Sequence, residues 1–502
     1  MPQTRFEFSA PWSFLQTALV SAVVVVSASQ NAVWGQEISP ELANQIIDTQ
    51  ILTVDRFNGG YIPEDNASKT EGFGAYGDIQ TIDPMWNGFS FAFLNRDFSQ
   101  RNVGFPARQM NHLIGQARSI YINAKTHQLL DNRNTRFRHF TQQASDFLIE
   151  TAWDETYGGW YWGIEPSGEN PPLDNSNVYG PGAQSKHAYG QVHTSLSLAK
   201  AYAVTGDERH LEMALMGWQH FQAKHGEAAQ GYTGAYASSF NRDYTEQIEE
   251  RNLDYMLHAL ETAIALYEVT EGEVKKTLLK DARDLGDHIL NRMIQTDETS
   301  CHGGACTRAY VPWYFTSAWQ PMATQPNSQE PNYVSPGHQF EYAFFLSRAV
   351  ELGIGDESWL ATAERLIEHG LHYTFNEEQG SVHYDKFLLG EEPYLDGEYV
   401  TWWPQAEAAR ALAHFAIVRD RPDLWDEFES SFNLIQTKLT DPIYGGWFTS
   451  LSPITLAPIE PDESFKAQPW KVYYHATMLQ MELIRLSQLS AAETTLAPVN
   501  TD

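Results

Sequence analysis

Three histidines of this chain lie near the starts of apolar, helix-like segments, and two of them are followed by a glutamate three residues later. His258 lies in MLHALETA, His338 in SPGHQFEYAFFL and His475 in WKVYYHATM. Glu261 and Glu341 follow the first two, and this spacing places both members of a pair on one face of a helix. Imidazole titrates near neutral pH, so a histidine can remove a proton from one position and return it at another. The pattern predicts acid–base chemistry in which each glutamate orients a histidine ring.

Further polar side chains occur in segments that should otherwise be apolar. Burying a charge without a partner is costly, so these groups are expected either to form a paired network or to line a polar site open to substrate. A central pocket closed at one end is the usual location of a ligand, which favours the second interpretation. The group comprises Gln116 and Arg118 in LIGQARSIY, Lys186 and Tyr189 in SKHAYGQ, and Gln405 and Glu407 in WWPQAEAARAL.

The elements that must hold these residues are helices that occur in pairs. The first helix of each pair starts near residue 105, 186, 252, 336, 402 or 471, and regular spacing of this size is typical of a repeat architecture. The first helix carries less charge than the second, so it is expected to be the buried one. The pattern predicts an all-α fold, an (α/α)6 barrel of six inner and six outer helices in one domain, residues 36–502. The predicted pairs are 105–124 with 136–153, 186–205 with 207–224, 252–269 with 274–293, 336–352 with 357–373, 402–418 with 422–438, and 471–489 with 40–49.

A motif of one acidic residue, two glycines and aromatic residues occurs three times. The copies are DETYGGWYW at 154–162, DPIYGGWFT at 441–449 and, less closely, DRFNGGY at 55–61. Each copy falls between helix pairs, where Gly-Gly permits a turn and alternating aromatics suit short hairpin strands. We therefore expect short β-hairpins at one end of the barrel. Their aromatic side chains either plug that end or contact a sugar.

The N-terminal segment is typical of a secretory signal peptide. Arg5 precedes an apolar run at 14–26, and small and polar residues follow it. We expect residues 1–35 to be removed and the protein to be secreted or periplasmic. The two cysteines of the chain, Cys301 and Cys306 in CHGGAC, are then expected to form a disulfide. A metal site that uses His302 is the alternative, but it is one ligand short of four.

Composition restricts the partners of the protein. The net charge is −31, from 33 basic and 64 acidic residues. Such a surface repels nucleic acid and anionic membranes, so neither is expected as a partner. The 42% hydrophobic and 13% aromatic content is enough for a large core, and aromatic-rich clefts suit the apolar faces of sugars.

Seven motifs follow one another in the order found in a known superfamily. They are QARSIY, KHAYGQVHTSLSLAKAYAVTGD, MLHALETA, PGHQFEYAFFL, WWPQAEA, DPIYGGWF and KVYYH. From about residue 45 to residue 490 the chain resembles the N-acylglucosamine 2-epimerase superfamily, which includes cellobiose 2-epimerases and mannose isomerases. PGHxxE and the final YH are the most specific of these motifs.

The resemblance implies cofactor-free epimerisation or aldose–ketose isomerisation of a small carbohydrate through an enediolate. His338 and His475 correspond to the two acid/base histidines, and His258 to a third that assists ring opening or binds substrate oxygens. Arg118 corresponds to the arginine that stabilises the enediolate oxygens. No metal ion is expected at the site, and the protein is expected to be a monomer or a homodimer. The residues expected to bind or orient the substrate are Glu261, Glu341, Lys186, Tyr189, Trp402, Trp403 and Glu407.

The long Pro/Gln/Asn-rich stretch at 320–331 is expected to be a loop at the active-site side, where it could reshape the sugar-binding end. Epimerase and isomerase cannot be separated at this point, because both reactions use the same pair of histidines.

One alternative is an exported (α/α)6 glycoside hydrolase or polysaccharide lyase. Inverting hydrolysis needs two opposed carboxylates with room for a water molecule between them. Such a reaction leaves the three histidines unexplained. The candidate carboxylates are Asp154, Glu261, Glu341 and Glu407.

Two further alternatives use the same residues differently. A metal site could be built from His258, Glu261, His338 and Glu341, although di-metal carboxylate bundles use the reverse order, Glu-x-x-His. A sugar-binding protein could also have kept this fold without catalysis, because a fold does not determine a function.

Overall fold

The computed structural model describes residues 37–58, 96, 111–130, 136–164, 170–172, 182–303, 305–383, 387–388, 399–459, 466–467 and 470–496. The expected signal peptide at 1–35 lies outside these residues, as do 105–110 of the first predicted inner helix and 59–61 of the third Gly-Gly copy. Among the helices of the described ranges, none has both the length and the apolar character needed to cross a membrane.

The described residues form twelve α-helices, which match the predicted pairs. The N-terminal helix continues past residue 49 to Phe57, because Thr53, Val54 and Phe57 extend its buried stripe. Two outer helices end in a π-helical turn, at Ile289–Met293 and Ile435–Leu439. The helices are α1 (Pro40–Phe57), α2 (Leu113–Gln128), α3 (Arg136–Ala152), α4 (Ala188–Thr205), α5 (Glu208–His225), α6 (Leu253–Val269), α7 (Gly272–His288), α8 (Pro336–Glu351), α9 (Glu357–Thr374), α10 (Trp402–Val418), α11 (Trp425–Leu434) and α12 (Tyr474–Leu496).

Six helices form a closed inner ring. The contacts run from α2 to α4, α6, α8, α10 and α12, and from α12 back to α2. Each inner helix carries one outer helix: α3 on α2, α5 on α4, α7 on α6, α9 on α8, α11 on α10 and α1 on α12. On α10 every residue from Pro404 to Ala416 is buried, whereas α7 buries only a stripe that includes Leu278, Ala282 and Leu285. The predicted (α/α)6 barrel is confirmed.

Short antiparallel strand pairs lie at the end where the inner helices begin. Four strands lead directly or within one residue into an inner helix, as β1 does into α2, so the hairpins cover this end of the barrel. Every strand in the described residues is two residues long. The pairs are β1 (Asn111–His112) with β2 (Gly163–Ile164), β3 (Arg251–Asn252) with β8 (Tyr314–Phe315), β4 (Gln295–Thr296) with β7 (Ala309–Tyr310), β5 (Cys301–His302) with β6 (Ala305–Cys306), β9 (Tyr333–Val334) with β12 (Phe387–Leu388), β10 (Phe375–Asn376) with β11 (Ser381–Val382), and β13 (Val400–Thr401) with β14 (Ser450–Leu451).

Buried glutamines attach these connections to the inner helices. The fourth residue of α4, α8 and α10 is a glutamine whose amide both accepts from and donates to the backbone of one connecting residue. Gln191 holds Trp160 at 2.8 and 2.7 Å, and Gln405 holds Val382 at 2.8 and 2.6 Å. Gln339 does the same to Val311 at 3.0 and 3.3 Å. Backbone groups that are buried outside regular ladders are satisfied in this way.

Two copies of the Gly-Gly motif form the same turn. Asp154 and Asp441 each accept hydrogen bonds from backbone amides two and three residues later, and the backbone then returns through two glycines with φ between 63° and 76°. Only glycine adopts such angles without strain. In the third copy Asp55 lies within α1 and pairs with Arg136 at 2.6 Å, and Asn58 caps the C-terminal end of this helix.

Cys301 and Cys306 form a disulfide across the β5–β6 hairpin. The bond closes a small loop on the connection between α7 and α8, which agrees with the pairing expected from the sequence. Glu298 lies beside Cys301, and the hairpin is partly exposed.

Candidate active site

The first two turns of the inner helices bring the predicted catalytic residues together. Each contributing side chain contacts one from a neighbouring inner helix, either by a hydrogen bond or by packing of rings. The ring of contacts surrounds the barrel axis at the end that carries the hairpins. Its members are Arg118 on α2, Tyr189 on α4, Asp254 and His258 on α6, His338 on α8, Trp403 on α10, and His475 on α12.

His258 is held between two carboxylates of its own helix. Its Nδ1 atom lies 2.9 Å from Glu261, as the spacing of three residues predicts, and its Nε2 atom lies 3.6 Å from Asp254. Tyr474 donates a hydrogen bond to Glu261 at 2.7 Å. Burial acts to raise the pKa of Glu261, but the contacts with His258 and Tyr474 outweigh it and leave that pKa lowered. The ring of His258 is therefore fixed against an ionised carboxylate.

His338 has different partners from those predicted. Its Nδ1 atom lies 2.6 Å from the hydroxyl of Ser335, and its Nε2 atom lies 3.3 Å from Asp254 of α6. The predicted contact with Glu341 is not formed. Glu341 is fully buried and its two oxygens have no hydrogen-bond partner among the described residues. Burial, followed by the charge of Glu407, raises the pKa of Glu341 well above its usual range, so Glu341 is neutral and does not orient His338.

His475 is supported by α10. Its Nδ1 atom lies 2.7 Å from Glu407, and the guanidinium of Arg410 binds the second oxygen of the same carboxyl group. Burial raises the pKa of Glu407 to about 7 and lowers the pKa of His475 well below its usual value. Glu407 is completely buried, so it holds the histidine and is not the substrate contact that we expected from the sequence.

Asp254 is the most exposed ionisable group in this cluster. Its side chain is 25% exposed, whereas those of His338 and His475 are 8% exposed and that of His258 is 1% exposed. Burial acts to raise its pKa, but the hydrogen bond to His338 and the charges of the neighbouring histidines and Arg118 outweigh it and lower the pKa. The sequence analysis missed Asp254, although its position four residues before His258 on the same helix face could have indicated it.

Arg118 extends across the barrel between α4 and α12. Its guanidinium donates a hydrogen bond to the hydroxyl of Tyr189 at 2.6 Å, binds the backbone carbonyl of Trp470 and lies 4.7 Å from the ring centre of Tyr474. The positive charge is thereby fixed between Tyr189 and Tyr474, and it contributes to the lowered pKa of His475. Tyr189 acts as a partner of Arg118 and packs against His258 at 5.0 Å.

Aromatic rings line the site. Trp403 lies between two histidines, with ring centres 4.6 Å from His338 and 5.7 Å from His475. Trp313, which the sequence analysis missed, lies 5.2 Å from His338 and stacks on Tyr333. Trp402 faces the ammonium of Lys471 instead and is not part of this lining.

Lys186 is not brought to the site. Its ammonium is fully buried and binds Asp154 at 3.1 Å and the carbonyl of Gly159 at 3.2 Å. Arg242 binds the same carboxylate at 2.9 Å. Burial lowers the pKa of Lys186 to about 7. We expected Lys186 to contact the substrate, but in the structure it holds the first Gly-Gly turn.

The residues Glu341, Glu407 and His475 have the spacing of a metal site, with ligand atoms within 4.8 Å of one another. Arg410 already occupies one oxygen of Glu407, and its charge opposes a bound cation. The alternative metal site predicted from the sequence would use Glu261 and Glu341 together with two histidines. These two glutamates have different surroundings, because Glu261 is bound by His258 and Tyr474 whereas Glu341 has no hydrogen-bond partner among the described residues. These groups suit proton sharing better than metal binding.

Ion pairs link the inner helices toward the opposite end of the barrel. Glu268 binds Lys200 at 3.0 Å and Arg348 at 3.1 Å, and Glu482 binds His414 at 2.9 Å. A cavity of about 360 Å³ lies among these groups. A second cavity, of about 530 Å³, lies on the catalytic side, where Pro326 and Asn327 of the expected long loop face the segment 247–252.

Comparison with known proteins identifies relatives by sequence. Residues 98–478 match the sequence profile of the family described as N-acylglucosamine 2-epimerase (GlcNAc 2-epimerase). The cellobiose 2-epimerase of Bacteroides fragilis is 24% identical to this chain over 417 residues, which are 78% of this chain and 94% of that protein.

Solved structures share the fold. The cellobiose 2-epimerase of Bacillus thermoamylovorans superposes with a TM-score of 0.67 at 19% identity, covering 89% of this chain and 99% of that one. A D-mannose isomerase superposes with a TM-score of 0.67 at 16% identity, covering 91% and 100% of the two chains. The sequence profile extends over the first five inner helices and the first turn of α12, and this chain therefore belongs to the N-acylglucosamine 2-epimerase family of carbohydrate epimerases and isomerases.

Proposed function

We propose that this protein is a cofactor-independent sugar 2-epimerase or aldose–ketose isomerase, and that His338 and His475 exchange protons with the reducing-end sugar. The observation that carries the proposal is the arrangement of these two histidines on either side of Trp403. Each has its Nδ1 atom held by a partner, Ser335 or Glu407. The Nε2 atoms are then available for the substrate once the contact of His338 with Asp254 is exchanged.

The reaction follows from these positions. One histidine removes the proton on C2 of the open-chain aldose, and an enediolate forms. The other histidine then delivers a proton to the opposite face of C2 in epimerisation, whereas in isomerisation a proton is delivered to C1. Arg118 is fixed beside the site and stabilises the negative charge that develops on the enediolate oxygens. Trp403 and Trp313 offer apolar faces on which the sugar can stack.

The substrate class is supported by the relatives and by space at the mouth. The names of the relatives point to cellobiose and mannose, which share a pyranose with a free reducing end. The cavity of about 530 Å³ beside Asn252 is large enough for additional sugar units. We propose a mono- or disaccharide with a glucose or mannose reducing end.

Proton NMR in D2O tests the proposal directly. Glucose, mannose, N-acetylglucosamine and cellobiose are incubated with the protein, and the C1 and C2 proton signals are followed. Deuterium entering C2 with formation of the epimer identifies an epimerase, whereas deuterium at C1 of a ketose product identifies an isomerase. New reducing ends or unsaturated sugars would instead identify a hydrolase or a lyase.

We predict that His338→Asn and His475→Asn each reduce the exchange rate by about 10²-fold to 10⁴-fold, the usual contribution of a general acid or base. The matched control is His414→Asn, because His414 is also a buried inner-helix histidine bound to a glutamate, at 2.9 Å. The control should retain the exchange rate of the wild type. Equal activity in all three variants would contradict the assignment of the two acid/base histidines.

The hydrolase alternative has less support from the site. Asp154 is held by Lys186 and Arg242, while Glu261 and Glu407 are held against histidines. Glu341 is neutral and buried. These candidate carboxylates therefore do not provide an opposed pair with room for water.

We also propose that the protein is exported, as the N-terminal segment suggests. The Cys301–Cys306 disulfide supports this proposal, because such bonds persist in oxidising compartments. Mass spectrometry of the protein from the periplasm or medium of its host should find residues 1–35 removed. A full-length mass from the cytoplasm alone would contradict export.

A further inference from the structure

Proton exchange at C2 requires an open-chain sugar, because the C2 proton becomes acidic only beside a carbonyl group. Opening a pyranose needs a base that takes the proton of the hydroxyl on C1 and an acid that gives a proton to the ring oxygen. The proposed function uses His338 and His475 at C2. Their task leaves the partly exposed Asp254 and the buried His258 beside it.

Asp254 and His258 are arranged as an adjacent base and acid. The carboxylate of Asp254 lies 3.6 Å from Nε2 of His258, and the opposite nitrogen of His258 is fixed by Glu261 at 2.9 Å. His258 therefore has a carboxylate facing each ring nitrogen. Because Nδ1 is directed at Glu261, Nε2 beside Asp254 is the nitrogen that remains for the substrate.

The contacts of Asp254 leave it free to accept a substrate hydroxyl. Its distance of 3.3 Å to His338 is long for a charge-assisted hydrogen bond, and its distance of 3.6 Å to His258 is beyond one. Its side chain is also three times as exposed as that of either His338 or His475, at 25% against 8%. A sugar hydroxyl can replace these contacts at little cost.

We propose that Asp254 and His258 form a ring-opening pair, with Asp254 as the catalytic base. Asp254 takes the proton from the C1 hydroxyl, the C1–O5 bond breaks as the C1 carbonyl forms, and His258 gives its Nε2 proton to O5. The open-chain aldose is then presented to His338 and His475. Reversal of the same proton transfers closes the product ring. This inference rests on the proposed function and assigns a separate step to residues beside the C2 site.

Anomer interconversion measures this step without the C2 chemistry. In a His475→Asn background, NMR exchange spectroscopy of mannose follows the rate at which the α and β anomers interconvert. We expect the protein to raise this rate above its value in buffer. Adding Asp254→Asn should reduce the protein-dependent part of the rate by at least about 10²-fold. Unchanged acceleration after Asp254→Asn would overturn the proposal.

A substrate that cannot form a ring gives the second readout. Glyceraldehyde has three carbons and needs no ring opening, so Asp254→Asn in the otherwise wild-type chain should lower C2 exchange with mannose at least about tenfold more than C2 exchange with glyceraldehyde. Ser335→Ala is the matched comparison. It removes the partner of His338 and should lower the C2 exchange rate equally with both substrates. Equal loss with both substrates in Asp254→Asn would show that Asp254 only positions histidines.

The two proposals fail in distinguishable ways. C2 exchange without accelerated anomer interconversion would overturn the ring-opening pair and leave the proposed function intact. Accelerated interconversion without any C2 or C1 exchange would support the pair and contradict the proposed function. Circular dichroism and the unfolding temperature of each variant establish that it is folded.

Discussion

The three histidines of the site differ in the group that holds their Nδ1 atom. His258 faces an ionised carboxylate, His338 a hydroxyl, and His475 a carboxyl group that titrates near neutral pH. The three rings therefore differ in the chemical group that holds them, although the residues are of one type. An acid/base pair that works on opposite faces of one carbon needs such a difference, because one member must hold a proton while the other lacks it.

The pKa of Glu407 leads to a prediction about pH. Above about pH 7 the Glu407 carboxylate accepts the Nδ1 proton of His475, and Nε2 is then an unprotonated base. Below this pH the carboxyl group is protonated and can donate to Nδ1, which moves the ring proton to Nε2. We expect kcat/KM to rise with pH through about 7 in the wild type.

In Glu407→Gln this rise should disappear, and kcat/KM should fall by about 10²-fold, because the side chain no longer ionises. Glu482→Gln is the control, since Glu482 holds the Nδ1 atom of His414 at 2.9 Å away from the catalytic end. The measurement is the pH profile of C2 exchange for the three proteins. The same rise near pH 7 in Glu407→Gln would contradict the role of this carboxyl group.

Sequence spacing could identify the histidines but not all of their partners. The helical pattern placed His258, His338 and His475 on inner helices, and the local rule of three residues found Glu261 correctly. The same rule failed for Glu341, because Ser335 and Asp254 hold His338 instead. The contacts of His338 with Asp254 and of His475 with Glu407 join residues 84 and 68 positions apart, and such pairs become visible only when the barrel closes.

At the level of elements, the two Gly-Gly turns are held by the same set of charges. Asp154 binds Lys186 and Arg242, and Asp441 binds Lys466 at 3.0 Å together with Arg96 at 2.7 Å. Both aspartates are fully buried. The sequence predicted the turns from their glycines, but the cations come from distant segments and could not be assigned from the motif.

We predict that Asp154→Ala and Asp441→Ala each lower the free energy of unfolding by about 3–5 kcal/mol, because each leaves a buried lysine without its carboxylate. The exposed pair of Lys280 and Asp284 gives the control, and Asp284→Ala should cost less than about 1 kcal/mol. Urea unfolding followed by circular dichroism measures the three changes. A cost for the buried aspartates no larger than for the control would contradict this role.

The pKa of Asp154 is lowered, with burial opposing the shift and the contacts with Arg242 and Lys186 outweighing it. The stabilisation by this carboxylate is therefore complete above the pKa of an unfolded aspartate, near 3.8, and is lost as the pH falls below that value. The difference in the free energy of unfolding between wild type and Asp154→Ala should therefore become smaller as the pH falls below this value.

At the scale of the whole molecule, the ring of helices could be predicted from two features of the sequence. The inner helices start at regular intervals, and they carry less charge than the outer helices. The inner helices are buried around most of their circumference, and the outer ones carry the charged faces. The first inner helix begins at Leu113, directly after the strand Asn111–His112, and 105–110 of its predicted range lie outside the described residues. The sequence predicted that short hairpins are present but not which strands pair, because a strand of two residues is too short to show an alternating pattern.

The charge of the whole chain gives a further prediction. A net charge of −31 produces self-repulsion that salt screens, with a Debye length of about 30 Å at 0.01 M and about 8 Å at 0.15 M. We expect the unfolding temperature to rise between these two concentrations of sodium chloride. A fall would indicate that attractive ion pairs, which salt also weakens, dominate the electrostatic energy.

The common direction of the six inner helices has an electrostatic consequence of its own. All of them begin at the end that carries the hairpins, so the partial positive charges of their N-termini surround the place where we propose that the enediolate forms. Each such dipole favours a nearby anion by about 0.3–1 kcal/mol. A protein with a strongly acidic surface thus offers an anionic intermediate a positive potential that comes from its backbone, and side-chain substitutions at that surface leave this potential in place.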